Sequence, residues 1–275
     1  MRRKLHDGLF LVFVALSVVD TFALTSQFGG FLGGLSLKLS LLRYNVGCQL
    51  FTWIREFSQV CSSYLLLLST IERFVSLRFP LKRAILCSGR RIRIAVLCIF
   101  VLAPISQVYN LFLVILIGRS CGTPFSVKFA HSVLKIVTQQ VMGMILPYCC
   151  IAILNMMIVY LLIKYRKQRV ALQGSITSSE DRAQRSMTVM LFAASTYSLL
   201  LITPSLIERA MNPYRKYNPM FALWTISIIA PWNYCGNFFF YIIGGQQFRK
   251  ELRRMILCRQ STGKYKAYAI HADLT

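Results

Sequence analysis

Six long apolar runs, separated by short polar segments, set out this chain: roughly 8–32, 48–74, 92–117, 133–163, 186–211 and 219–243. Each is long enough, as an α-helix, to cross about 30 Å of hydrocarbon. The run from Cys48 to Arg73 is the most informative. At 1.5 Å per residue it covers roughly 37 Å, which puts one end at each face of a membrane. A cysteine marks one end, Glu72-Arg73 the other, and a basic, proline-marked turn from Phe74 to Arg83 follows. The first run is too long for a cleavable signal peptide, and no segment repeats at a fixed period.

Breakers and loops refine the pattern. Phe28 to Leu35 is a glycine-rich end to the first run, and Gly, Ser, Pro and Cys121 mark the loop after the third. Pro147, Pro204 and Pro231 fall inside the last three runs. Each proline removes a helix hydrogen bond and predicts a kink that neighbouring helices must re-satisfy. A polar linker of about 24 residues after the fourth run ends near Arg185. Beyond Gly244-Gly245 the pattern becomes amphipathic, with Phe248, Leu252, Met255 and Ile256 set against Arg249, Lys250, Arg253 and Arg254. This predicts a basic helix over about 245–257 lying on the membrane surface, followed by a tail over 258–275. Cys258 is a candidate palmitoylation site, with a free cytosolic thiol as the equal alternative.

Composition fixes the class. With 56% hydrophobic residues and only 15% charged ones, the chain reads as an all-α, multi-pass membrane bundle rather than a soluble core. A net charge of +23 raises nucleic acid as a partner, and the placement of the charge removes it. The segments 2–4, 73–93, 164–185 and 249–266 hold 23 basic residues, whereas 38–43, 119–135 and 209–216 hold eight. The richer set belongs in the cytoplasm, against anionic lipid. Both termini then lie inside, Cys48 and Cys121 face oxidising conditions, and Cys87 and Cys258 stay reduced. No His/Cys cluster has metal-ligand spacing, and no nucleophile–base–acid set appears, so nothing points to an enzyme.

Charged residues inside the runs are the candidate functional groups, because each costs roughly 2.5–3.5 kcal/mol at a bilayer centre. Asp20 is either a packing carboxylate paired with hydroxyls or an ion or switch site. Arg55 and Glu56 lie near the Cys48 end; as helix neighbours they point about 100° apart and need not pair with each other.

Together these residues resemble the rhodopsin-like (class A) G-protein-coupled receptors. Glu72-Arg73-Phe74 is similar to the D/E-R-Y element, with Phe for Tyr. Cys48 and Cys121 stand where the family has its third-helix and second-extracellular-loop cysteines, which implies a disulfide. Asp20 resembles the second-helix aspartate, and Pro147 and Pro204 the fifth- and sixth-helix prolines. Asn237 to Tyr241 resembles N-P-x-x-Y with Phe for Pro, and Gly245 to Arg249 the start of the eighth helix. Tyr109-Asn110, read as part of the fourth helix, and Asn155 in the fifth add a likeness to invertebrate neuropeptide receptors of the FMRFamide and myosuppressin kind. Ile202 replaces the usual sixth-helix aromatic, and the fourth helix lacks its usual Trp.

The resemblance implies a single receptor domain over 1–275, of seven-helix type with six spans present and the first helix missing, in the plasma membrane. It implies a receptor that senses an extracellular ligand, a peptide by the narrower likeness, and activates a heterotrimeric G protein. Glu72, Arg73, Phe74, Asn237 and Tyr241 would form the switch; Asp20, Ser62 and Asn237 would hold an internal sodium ion, and no other cofactor is implied. Arg55, Glu56, Gln139, Gln140, Glu208 and Arg209 would line the ligand pocket, an inter-helix charge network being the equal alternative for each. A simple biogenic amine does not suit Arg55. Without its first helix the chain is expected to be poorly stable and to signal weakly. The competing readings are a truncated, non-signalling receptor remnant and a six-span transporter or channel with Asp20 and Arg55 along its path; the latter lacks the expected internal symmetry or pore loop.

Overall fold

A computed structural model describes residues 2–34, 45–117, 120–172, 179–211 and 229–244. It is a helical bundle built around one rod. Helix α1 runs Arg2–Gly34 and α2 Asn45–Arg78; a short α3, Arg83–Leu86, turns the chain into α4, Gly89–Ser106. After α5, Asn110–Leu113, strands β1, Ile115–Ile117, and β2, Ser120–Gly122, form an antiparallel hairpin with Leu116 opposite Cys121. The chain re-enters through α6, Lys128–Leu134, a π-helical stretch Lys135–Ile145, and α7, Leu146–Leu172. Helices α8, Ser179–Met211, and α9, Ala230–Gly244, complete the described bundle.

Among the described residues, three helices are long and apolar enough to cross a membrane, over Asn45–Arg78, Gly89–Leu113 and Phe125–Tyr165. Shorter apolar helices run Leu11–Gln27 and Thr188–Pro204. The expected surface helix over 245–257, Cys258 and the first part of the 219–243 run lie outside the described residues.

Helix α2 takes the centre because it is enclosed on every side: all six residues from Ser58 to Ser63 are buried, Ser62 and Ser63 reach different helices, and the rod packs against α1, α4, α7 and α8. In lipid, apolar surface gives helices little reason to associate, and close packing with inter-helix hydrogen bonds does that work. One apolar cluster joins Val12, Leu16 and Val19 of α1 to Val60, Cys61 and Leu65 of α2, with Ile92, Val96 and Met190. A second gathers Leu66, Met144, Tyr148, Ile151 and Ile202. Ile202 thus fills, as an aliphatic core residue, the place where an aromatic was expected. On α4, Ile94, Leu97, Val101, Leu102 and Ile105 are exposed, a surface suited to lipid.

Two expectations need correction. The third run was expected to continue as a span to residue 117. Instead the apolar span, with a turn between Ser106 and Asn110, ends at Leu113 and keeps Tyr109-Asn110 inside it, and 115–117 is strand. The run Ile-Leu-Ile is apolar in either conformation, and pairing with β2 decides for the strand. The proline kinks also differ in kind. Pro147 cannot donate to the carbonyl of Gly143, four residues earlier, and the helix is wound as π immediately before it. The Gly143 carbonyl accepts from Ser63 Oγ at 2.6 Å, and that of Met142 from Tyr64 Oη at 2.8 Å. A Cβ on Gly143 would come within 2.8 Å of Val60, so glycine also permits the close approach of α2. Pro204 lies inside α8 with the helix continuing past it, and Pro231 sits in the first turn of α9.

Candidate functional site

Two ion clusters occupy opposite ends of α2, each centred on a glutamate. At the Arg73 end, Glu72 and Arg73 are buried, 4% and 3% exposed, and their side chains pair at 3.3 Å. Arg83, from α3, brings two nitrogens to Glu72 Oε1, Nη2 at 2.8 Å and Nε at 3.1 Å. Ser76 Oγ donates to the same oxygen at 3.1 Å and to the Glu72 carbonyl at 2.7 Å. Tyr165 of α7 donates to the carbonyl of Leu77 at 3.1 Å, tying the inner part of α7 to this end of α2. Phe74 is half-buried beside them. Removing one partner from a buried ion pair of this kind is strongly destabilising, because it leaves the other charge buried alone. Cys87 packs below it, and burial, aided by the nearby Glu72 charge, raises its thiol pKa above the usual value despite Arg83.

At the Cys48 end the cations are less enclosed, about one-third exposed. Cys48 and Cys121 form a disulfide, with Cα atoms 5.6 Å apart, that fastens β2 to the start of α2. The Leu116 backbone N–H donates to Asn45 Oδ1 at 2.9 Å, securing β1 to the same helix. Trp53 Nε1 donates to the carbonyl of Pro104 at 3.0 Å. Within this frame Glu56 Oε1 receives Arg55 Nη2 at 2.9 Å and Lys135 Nζ at 3.4 Å. Arg55 and Glu56 do pair, which helix spacing left open, because the long guanidinium arm reaches round to a buried carboxylate, and Glu56 also meets another element through Lys135. Gln139 Nε2 donates to Gln59 Oε1 at 3.1 Å, and His131 Nε2 lies 3.2 Å from Asn110 Oδ1. Tyr109 stacks edge-on against His131 and donates to Gln107 Oε1 at 3.2 Å. Gln140 is half-buried nearby in sequence, while the side chains of Glu208 and Arg209 lie outside the described residues.

Midway along the rod Asp20 is buried and Ser62 Oγ donates to its Oδ1 at 2.6 Å. Tyr148 touches Asn233 and lies within reach of the Asp20 charge, and Asn233 Oδ1 is buried without a hydrogen-bond partner. The side chains of Asn237 and Tyr241 on α9 lie outside the described residues. Among the described residues no group of three or more His, Cys, Asp or Glu could hold a metal ion.

The family profile described as 7 transmembrane receptor (rhodopsin family) matches residues 2–241. The chain belongs to that family. It is a multi-pass membrane protein and a receptor rather than an enzyme. Members of the family receive an extracellular ligand and act on a G protein. A comparison with curated proteins finds no match. In this receptor the sequence pointed to one partner of each ion cluster and missed the other. Arg83 and Lys135 come from other elements, and their only signal was a basic residue close to a helix end.

Proposed function

We propose that this receptor senses an extracellular peptide at the plasma membrane and passes the signal to a heterotrimeric G protein. One observation carries the reading: a single rod, α2, joins an open polar cluster at Glu56 to a closed ion cluster at Arg73. A ligand that binds one packing of the Cys48 end better than another shifts the population of the whole bundle by that difference in affinity. The contacts that must yield are those bracing Glu72 and Arg73, together with the Tyr165 bond to α2; the inner ends of α7 and α8 then part, and Arg73 becomes part of the G-protein site. Asn237 and Tyr241, on α9, would complete that switch. The breadth of the Cys48-end cluster and its mixed donors and acceptors favour a peptide over a small amine, which would meet the cations Arg55 and Lys135. Gln140, Glu208 and Arg209 would line the same entrance in this reading, with Gln139 held inside against Gln59.

The oxygen donors Asp20 and Ser62 suit a hard monovalent cation, and the orphaned acceptor of Asn233 is consistent with one. Sodium held by Asp20, Ser62 and Asn237 would neutralise the carboxylate and favour the closed bundle. The test is peptide-evoked nucleotide exchange in cells expressing the receptor, with Arg73→Ala beside the wild type at matched surface expression. A response abolished in the mutant supports the reading; an undiminished one removes Arg73 from it.

A further inference from the structure

We propose that the opening at the Cys48 end selects its ligand through a negatively charged group, a carboxylate shared between Arg55 and Lys135. The inference rests on reading that end as the ligand entrance and adds the chemistry of what enters. Both cations reach the same oxygen of Glu56, at 2.9 and 3.4 Å, so their nitrogens lie close enough together for one further carboxylate to bridge them. Their exposure separates them from their partner: Arg55 is 34% and Lys135 32% exposed, Glu56 only 2%. The internal acid is withdrawn into the bundle while the two cations keep part of their surface free. A guanidinium carries five N–H donors and an ammonium three, more than the one shared oxygen can accept. The three groups together carry one positive charge in excess, around an acid that is itself buried.

The sequence points the same way: besides Lys135, the segments 38–43, 119–135 and 209–216, expected at this face, hold seven basic and no acidic residues. At the cytoplasmic leaflet such charge answers anionic lipid, but on the opposite face that explanation is lacking. There it raises the local concentration of anions and steers them toward the opening.

The experiment uses the purified full chain in lipid nanodiscs and three probes with one body and three charges: 3-phenylpropionate, 3-phenylpropionamide and 3-phenylpropylamine. Binding is read as the shift in melting temperature across a titration. The carboxylate is expected to stabilise the protein and the amide and amine to have no effect, with Arg55→Gln or Lys135→Gln weakening carboxylate binding about tenfold. Glu56→Gln should tighten it, because the competing internal acid is gone; a merely structural role for Glu56 would not have that sign. Equal shifts from all three probes, a shift from the amine alone, or no shift at all overturns the proposal. Peptide-evoked nucleotide exchange tests the receptor reading separately, and either result can fail while the other stands.

Discussion

The two ends of α2 carry the same three charges in different settings. Each has one buried glutamate, a neighbouring arginine on the helix and a second cation supplied from elsewhere: Lys135 at one end, Arg83 at the other. At the Arg73 end the neighbouring arginine is also buried, and a serine adds a hydrogen bond to the carboxylate oxygen that Arg83 holds. At the Cys48 end the cations remain about one-third exposed. The difference is one of cost. A sealed ion cluster is strongly destabilised when a partner leaves, whereas cations that keep part of their surface free around a buried acid can take a further partner without leaving it. The same chemistry thus makes a latch where it is closed and a receptive surface where it is open.

The largest effect should come from cutting the frame of the open end. Cys48→Ser releases a loop of 73 residues, and about 4 kcal/mol of stabilisation should go with it. Melting of the purified protein should fall sharply and the β1–β2 hairpin should lose protection from exchange, while the Arg73 end keeps its protection. An unchanged melting temperature would separate the hairpin from the stability of the bundle.

A smaller loss tests the joint between the two ends. Ser63→Ala leaves the Gly143 carbonyl without its donor, and a cost of about 1 kcal/mol is expected in a bilayer. Comparing melting temperatures of the mutant and the wild type in nanodiscs checks it. Equal stability would mean that the π-helical stretch re-satisfies this carbonyl by itself.

The smallest effect concerns Cys87, buried beside the closed cluster. Because burial raises its pKa, the thiolate is scarce near neutral pH and becomes abundant only well above the usual thiol range. Maleimide labelling should therefore be slow at pH 7.5 and quicken as pH rises, later than for a solvated cysteine. Fast labelling at neutral pH would show that the Arg73 end is open.

Much of this arrangement was legible in the sequence where it depends on distance along the chain. The length from Cys48 to Arg73 gave the rod, and Asp20 at the middle of an apolar run required a polar partner, found in Ser62. Contacts set by three-dimensional packing were hidden. Nothing in the run Ile115 to Ile117 distinguishes strand from the end of a helix, since only the pairing with Ser120 to Gly122 decides. Helical spacing suggested that Arg55 and Glu56 need not meet, and the burial that brings them together cannot be seen from spacing alone. Pro147 announced a kink, but the capture of the freed carbonyl by Ser63 depended on how α2 packs.

The contrast between latch and opening is tested most directly by removing the second cation from each end in turn and measuring ligand-independent nucleotide exchange per surface receptor. Arg83→Gln withdraws the outside partner of Glu72, loosens Arg73 and is expected to raise exchange above the wild type. Lys135→Gln makes the equivalent change at Glu56 and is expected to leave it at the wild-type level. No rise in Arg83→Gln, or the same rise in both, contradicts the distinction.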